Sequence, residues 1–372
     1  MELRLNAILC LMNKRVGDSV CMLPALRELA RRNDACMDIV TRHDYCRDLY
    51  RGVDFIRHVY NVRHWTMPLW LSFSRLNLAW KARKSRYRLA CIFSRPGQRR
   101  AAAYRQWLTA AGVTEDRIVF MNIKAELFFD PEERSGLGLE HYLPPALSTT
   151  EAEKQAVREK LRAFCGWTGE QLVFVHPGSN VSSGDKWWPT ERWGKVISGI
   201  RDRFPECMIV VTGSKGEQEI ADAIIAATPG GQSGLANLAG LLSIREMLPL
   251  QMLAHSGISN DTGMAHTALA VGCPTVVVYD RYDPRWMWSS SPKGWGPAAT
   301  VRGFADLPSL VPANDKGGMQ RISAETVLEA WSQLPPRSDD PPGEGMVRHY
   351  YEEGGGRAEC LPVYYDCWFE TR

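Results

Sequence analysis

The stretch Ile258-Ser259-Asn260-Asp261-Thr262-Gly263-Met264-Ala265-His266 constrains this chain most. With Thr267 through Val278 it reads as a strand, a tight polar turn, a short helix and a second apolar strand. Asp261, Thr262 and Gly263 stand where a strand ends and a helix begins. Backbone N–H groups at such a point lack intrahelical partners and favour an anion. His266 follows one helical turn after Gly263, on the same end. The same residues also suit a plain helix start, capped by Asp261 with His266 in a structural hydrogen bond. The rest of the chain has to decide.

Residues 5–12 form an apolar strand and Asn13 to Asp18 a polar turn. A helix is expected from Ser19 to about Arg32, with Val20, Leu23, Leu26, Leu29 and Ala30 at helical spacing. Met37–Thr41 is the next strand, so the chain opens as a βαβ unit with a parallel sheet. Leu89–Phe93 is a further strand, followed by a helix through residues 101–108. Residues 130–150, with several Pro and Gly, read as the exit from this domain.

A second run begins with a charged amphipathic helix from Glu151 to about Phe164. Leu172–Val175 is its first strand, with a turn at His176–Asn180. Lys186-Trp187-Trp188-Pro189 leads into a helix with Thr190 as N-cap. Met208–Val211 is a strand closed by Thr212–Glu217, and Leu238-Ala239-Gly240 a short strand before a helix from Ile244 to Ala254. The reading is an α/β chain of two facing, doubly wound, Rossmann-like domains with a cleft between them. The expected boundaries are 1–165, 166–320 and a C-terminal helix with extension, 321–372, packing back on the first domain.

At 372 residues, 45% hydrophobic and 23% charged, the chain is globular and long enough for two domains. Its ten cysteines are scattered without a C-x-x-C pair, which suits a reducing cytoplasm. Net charge is only +3 but uneven. Residues 55–114 contain no Asp or Glu, while twelve Lys and Arg fall there among many aromatics. Such a surface suits an anionic partner: a phosphorylated lipid, membrane headgroups or nucleic acid.

Gly178-Ser179, Gly213–Glu217 and Asp261-Thr262-Gly263 all fall at carboxyl ends of expected parallel strands, where ligands bind in such folds. Lys186 can bring a point charge to phosphate, and Glu217 can accept from a ribose diol or simply favour a helix start. The set describes a site for a nucleoside diphosphate. G-x-G-x-x-G is absent, so no dinucleotide fingerprint is present. D-x-D is absent too, which favours stabilising a leaving group with backbone N–H groups and a lysine rather than a metal.

The ordered motifs resemble glycosyltransferase family 9, the ADP-heptose heptosyltransferases of lipopolysaccharide core synthesis. They are Gly17-Asp18 with Leu23-Pro24-Ala25-Leu26, His176-Pro177-Gly178-Ser179, Lys186-Trp187-Trp188-Pro189, Gly213 to Glu217, Leu238-Ala239-Gly240 and Ser259 to His266 with Gly272-Cys273-Pro274. The resemblance implies the GT-B fold and inverting, metal-independent transfer of heptose from ADP-heptose, with Asp18 as general base. It implies a donor site of Gly178, Ser179, Lys186, Glu217, Leu242, Asp261, Thr262, Gly263 and His266. Lys14, Arg15, Arg95 and Arg99 are the expected acceptor contacts. No cofactor and no metal are expected beyond the donor itself. The implied partners are a nucleotide-sugar donor and an anionic, lipid-linked saccharide acceptor, not nucleic acid. The implied place is the cytoplasm, with room for peripheral contact at the inner membrane. The alternative is a GT-B transferase using another NDP-sugar with a protein or small-molecule acceptor.

Overall fold

The computed structural model describes residues 6–62, 72–85, 87–93, 99–121, 147–178, 187–279, 298–302, 318–334, 347–351 and 359–361. The chain divides into two compact units, Met1–Pro145 and Ala146–Arg372.

The first unit runs β1 (Asn6–Leu11), α1 (Val16–Cys21), α2 (Leu23–Arg32), β2 (Ala35–Thr41), α3 (Tyr45–Leu49), β3 (Ile56–Asn61), α4 (Phe73–Ser85), β4 (Leu89–Phe93), α5 (Arg99–Ala110) and β5 (Ile118–Met121). Its five strands lie in the order β3-β2-β1-β4-β5, all parallel. The central strand β1 is apolar without alternation because helices cover both faces of a parallel sheet. Ile8, Leu9, Cys10 and Leu11 are accordingly fully buried.

The second unit runs α6 (Glu151–Cys165), β6 (Leu172–His176), α7 (Thr190–Arg203), β7 (Met208–Val211), α8 (Gln218–Ala226), β8 (Leu235–Asn237), α9 (Ile244–Leu253), β9 (Ser256–Asn260), α10 (Gly263–Ala270), β10 (Thr275–Tyr279), β11 (Ala298–Arg302), α11 (Gly318–Arg321), α12 (Ala324–Ser332), β12 (Val347–Tyr351) and β13 (Glu359–Leu361). The sheet order is β13-β12-β11-β10-β9-β6-β7-β8, parallel except for β13. From β8 to β11 this is the Rossmann order, in which the first strand of the unit sits beside the fourth. The winding reverses between β1 and β4 in one unit and between β6 and β9 in the other. Ligands in such sheets bind outside the carboxyl ends at those reversals.

Four expectations are corrected. The helix after the first turn is two helices, parted at Met22, because Pro24 has no N–H to continue the ladder. It begins at Val16, so Asp18 lies within its first turn. The short strand is Leu235–Asn237, and Leu238–Gly240 form the turn beyond it. Thr190 is the first helical residue of α7 rather than its cap, which Pro189 occupies.

The fourth concerns the boundaries at 165 and 321. Helix α6 belongs to the second unit, because Arg245 on α9 grips Glu153 with two hydrogen bonds of 2.8 and 2.7 Å. Lys160 pairs with Glu246 on the same helix pair at 2.7 Å. Helix α12 also belongs to the second unit's core. Val327, Ala330 and Trp331 are buried there, and the Trp331 indole donates to Ser256 at 2.9 Å.

Candidate functional site

The turn after β9 opens the site. Thr262 is the N-cap of α10, its hydroxyl accepting from the Met264 N–H at 3.2 Å. Asp261, the residue expected to cap, instead donates its N–H to the Val278 carbonyl at 3.1 Å and pins the turn to β10. A helix that starts at Gly263 carries its positive end at the carboxyl edge of the sheet. Its first turn holds no acidic side chain to neutralise that end. His266 lies one turn along, partly exposed. The Gln251 amide donates to the Met264 carbonyl at 2.9 Å and fixes α9 against α10.

The turn after β6 joins it. Asn260, fully buried at the end of β9, donates from its side-chain amide to the Pro177 carbonyl at 2.8 Å. This locks His176-Pro177-Gly178 beside Asp261 and Thr262, across the reversal in strand order. The buried His176 ring faces the Thr212 hydroxyl at 3.0 Å. That hydroxyl also reaches the Val175 carbonyl at 3.2 Å, so the ring ends a short buried polar chain at the end of β6. Burial pushes His176 down to about 4, with the nearby Glu217 charge opposing, so the ring is neutral at neutral pH.

The turns after β7 and β8 complete the edge. Glu217 ends a short 3₁₀ turn and its Oε2 accepts from the Ser214 N–H at 2.5 Å, a capping box. The carboxylate lies against two glycines. A Cβ on Gly178 would collide with it, and a Cβ on Gly213 would stand 3.2 Å from Oε2. The Gly240 N–H donates to the Gly213 carbonyl at 2.9 Å. Gly240 has φ +76°, and a Cβ there would approach the Lys215 backbone at 2.8 Å. Leu242, partly exposed, follows just before the Ser243 cap of α9. Gly178, Glu217, Asp261, Thr262, Gly263 and His266 therefore share one sheet edge, with Leu242 on the adjoining turn. Ser179 and Lys186 lie outside the described residues.

In the first unit, Asp18 is exposed on the first turn of α1, directly after the turn that follows β1. The Lys14 carbonyl accepts from Tyr45 at 3.1 Å and from Ser19 at 3.4 Å, which sets that turn. Burial lowers the Lys14 ammonium, Asp18 opposes and Arg100 adds to the lowering. His43 is lowered by burial and by the charges of Arg42, Arg15 and Arg100. Lys14, Arg15 and Asp18 follow β1, and Arg99 and Arg100 open α5 after β4, so all stand at this unit's reversal point. Arg95 lies outside the described residues.

Sequence reasoning gave no role to His176, Thr212 and Asn260, or to Arg42, His43 and Arg100. The first three carry a signal: a polar residue at or just past the carboxyl end of a buried strand. Arg42 and His43 follow β2, and only the tertiary structure sets the Arg15 and Arg100 charges near His43.

Two Rossmann-like units, one with an edge of interlocked glycine turns and a helix N-terminus, define a doubly wound α/β protein. The model of glycosyltransferase family 9 (heptosyltransferase) matches residues 102–302, more than half of the chain. The chain belongs to that family. Lipopolysaccharide heptosyltransferase 1 of Escherichia coli K12 is 30% identical over 123 residues, 31% of this chain and 34% of that protein. The chain thus spans about a third of the length of the curated relatives it matches. The fold is similar to the ADP-heptose lps heptosyltransferase II of E. coli, with TM-score 0.64, 20% identity, and 88% of this chain and 97% of that one covered. It is also similar to a family 9 glycosyl transferase of Veillonella parvula, with TM-score 0.70, 16% identity, and 89% and 98% covered.

Proposed function

We propose that this protein transfers heptose from ADP-heptose to an anionic, lipid-linked lipopolysaccharide-core acceptor in the cytoplasm, with inversion and without a metal. The supporting observation is the set of interlocked turns at the β6/β9 reversal in a chain of this family. The α10 N-terminus, the Gly178 turn, His266 and Lys186 would hold the diphosphate, and Glu217 the ribose. Each unit has its own ligand edge, and a transferase needs one for donor and one for acceptor.

In this reading Asp18 takes the proton of the acceptor hydroxyl as that oxygen attacks the anomeric carbon. The bond from that carbon to the diphosphate oxygen breaks, and ADP leaves with its charge held by N–H groups and Lys186. A positioned base is worth about 10²–10⁴ in rate. Lys14, Arg15, Arg95 and Arg99 would meet the phosphorylated acceptor.

The test is Asp18→Ala assayed for transfer and, separately, for ADP binding. Transfer should fall by about 10² or more while ADP binding stays at the wild-type level. Full turnover by the variant removes Asp18 from the chemistry. Thermal shifts with ADP, GDP and UDP identify the base, and a preference for GDP or UDP overturns the donor assignment.

A further inference from the structure

Helix α4 has its apolar residues on the wrong side for a helix that only packs inward. Leu78 and Ala82 point into the first unit's core. On the opposite face, Phe73, Leu76 and Trp80 recur at i, i+3 and i+7, one stripe of a helix surface. Phe73 is 88% exposed, Trp80 56% and Leu76 39%. These are three of the seven exposed large hydrophobic side chains among the described residues, gathered on one helix. Single exposed apolar residues are ordinary, but a contiguous stripe with two aromatics marks an interaction surface.

The charges of this helix and of the neighbouring α5 select the partner. Arg83 is exposed on the same helix and holds the α5 backbone through the Ala110 carbonyl at 3.0 Å. Arg99 and Arg100 are exposed at the start of α5, whereas Arg105 is paired with Glu115 at 2.8 Å, and no acidic residue occurs from 55 to 114. At 13 residues α4 is about 20 Å long, too short to cross a hydrocarbon core of about 30 Å. An apolar, aromatic face among basic side chains is the composition of a helix lying in a membrane interface, where anionic headgroups attract the charge.

We propose that α4 docks the protein on an anionic phospholipid surface, with Phe73, Leu76 and Trp80 entering the headgroup boundary. The inference rests on the lipid-linked acceptor reading only for the presence of a membrane near the substrate; its own support is the side-chain pattern. The experiment is co-sedimentation of the full chain with phosphatidylcholine vesicles, with and without phosphatidylglycerol, at low and high salt. Wild type should sediment with the phosphatidylglycerol vesicles and lose that binding as salt rises. A Phe73→Ser/Trp80→Ser variant should partition roughly tenfold less or worse, with its unfolding midpoint and its ADP shift unchanged. Equal partitioning by wild type and variant, or no binding by wild type, overturns the proposal. So does a vesicle-free self-association of wild type that the variant loses, which makes the stripe a protein interface. Wild type that binds vesicles without any ADP shift supports docking and counts against the donor reading.

Discussion

Gly178→Ala tests how the sheet edge at the β6/β9 reversal is built. Gly178 does not need a left-handed backbone; it needs room, because its missing Cβ is where the Glu217 carboxylate lies. Adding a methyl group forces that carboxylate out. Its hydrogen bond from the Ser214 N–H, 2.5 Å long, is then lost. A capping interaction on a partly exposed carboxylate is worth about 1 kcal/mol. For a unit of this size that lowers the unfolding midpoint by about 2–4 °C. If Glu217 also accepts from the ribose, ADP binding weakens by about tenfold, the equivalent of about 1.4 kcal/mol. Thermal unfolding with and without ADP reads both effects. The decisive comparison is with Glu217→Ala and the double variant. Once the carboxylate is gone the methyl group costs nothing more, so the double variant should match Glu217→Ala. Additive losses, or a Gly178→Ala protein as stable as wild type, would refute the reasoning.

His176 gives the second unit a pH dependence. Its folded value of about 4 lies below the ordinary 6.5, so the unfolded chain binds the proton first. Its contribution is complete above pH 6.5 and is lost as pH falls toward 4, on the order of 3 kcal/mol at most. Urea midpoints between pH 6.5 and 4.5 should fall in wild type and flatten in His176→Gln; below that, Glu153, lowered to about 2 by Arg245, adds its own loss. Thr262→Ala removes the α10 cap and should cost about 1 kcal/mol in denaturant unfolding, with weaker ADP binding. Asp38 is fully buried, holds Arg57 by two bonds of 3.0 and 2.7 Å and accepts from Tyr87 at 2.5 Å. Asp38→Ala should therefore destabilise the first unit by about 3 kcal/mol, read in the same assay; a loss under 1 kcal/mol refutes the network's role.

Much of this architecture was legible from residue patterns. Short, continuous apolar runs bounded by polar turns, such as Ile8–Leu11 and Val276–Val278, read as parallel strands covered on both faces. The polar turns after them mark carboxyl ends, which groups Gly178, Glu217 and Thr262 from the sequence alone. The misplacements have local causes. Pro24 splits a helix that apolar spacing alone would run through, and Asp261 yields its cap to Thr262 because its own N–H is committed to β10.

The sequence by itself determined the element types, their order and the residues placed at strand ends, because these follow from periodicity of two or 3.6 and from the backbone limits of Pro and Gly. Only the tertiary structure decided which turns interlock. Asn260 reaches Pro177 and Gly178 makes room for Glu217 across long separations in the chain, and no local pattern encodes such distances. It also decided that α6 and α12 belong to the second unit, through Glu153–Arg245 and Trp331–Ser256, and that α4 turns its aromatic face outward. The strand order sets the first two, and the burial of Leu78 and Ala82 sets the third. A helix has only one face to give the core, and the residues that win that face leave the others to solvent or to a partner.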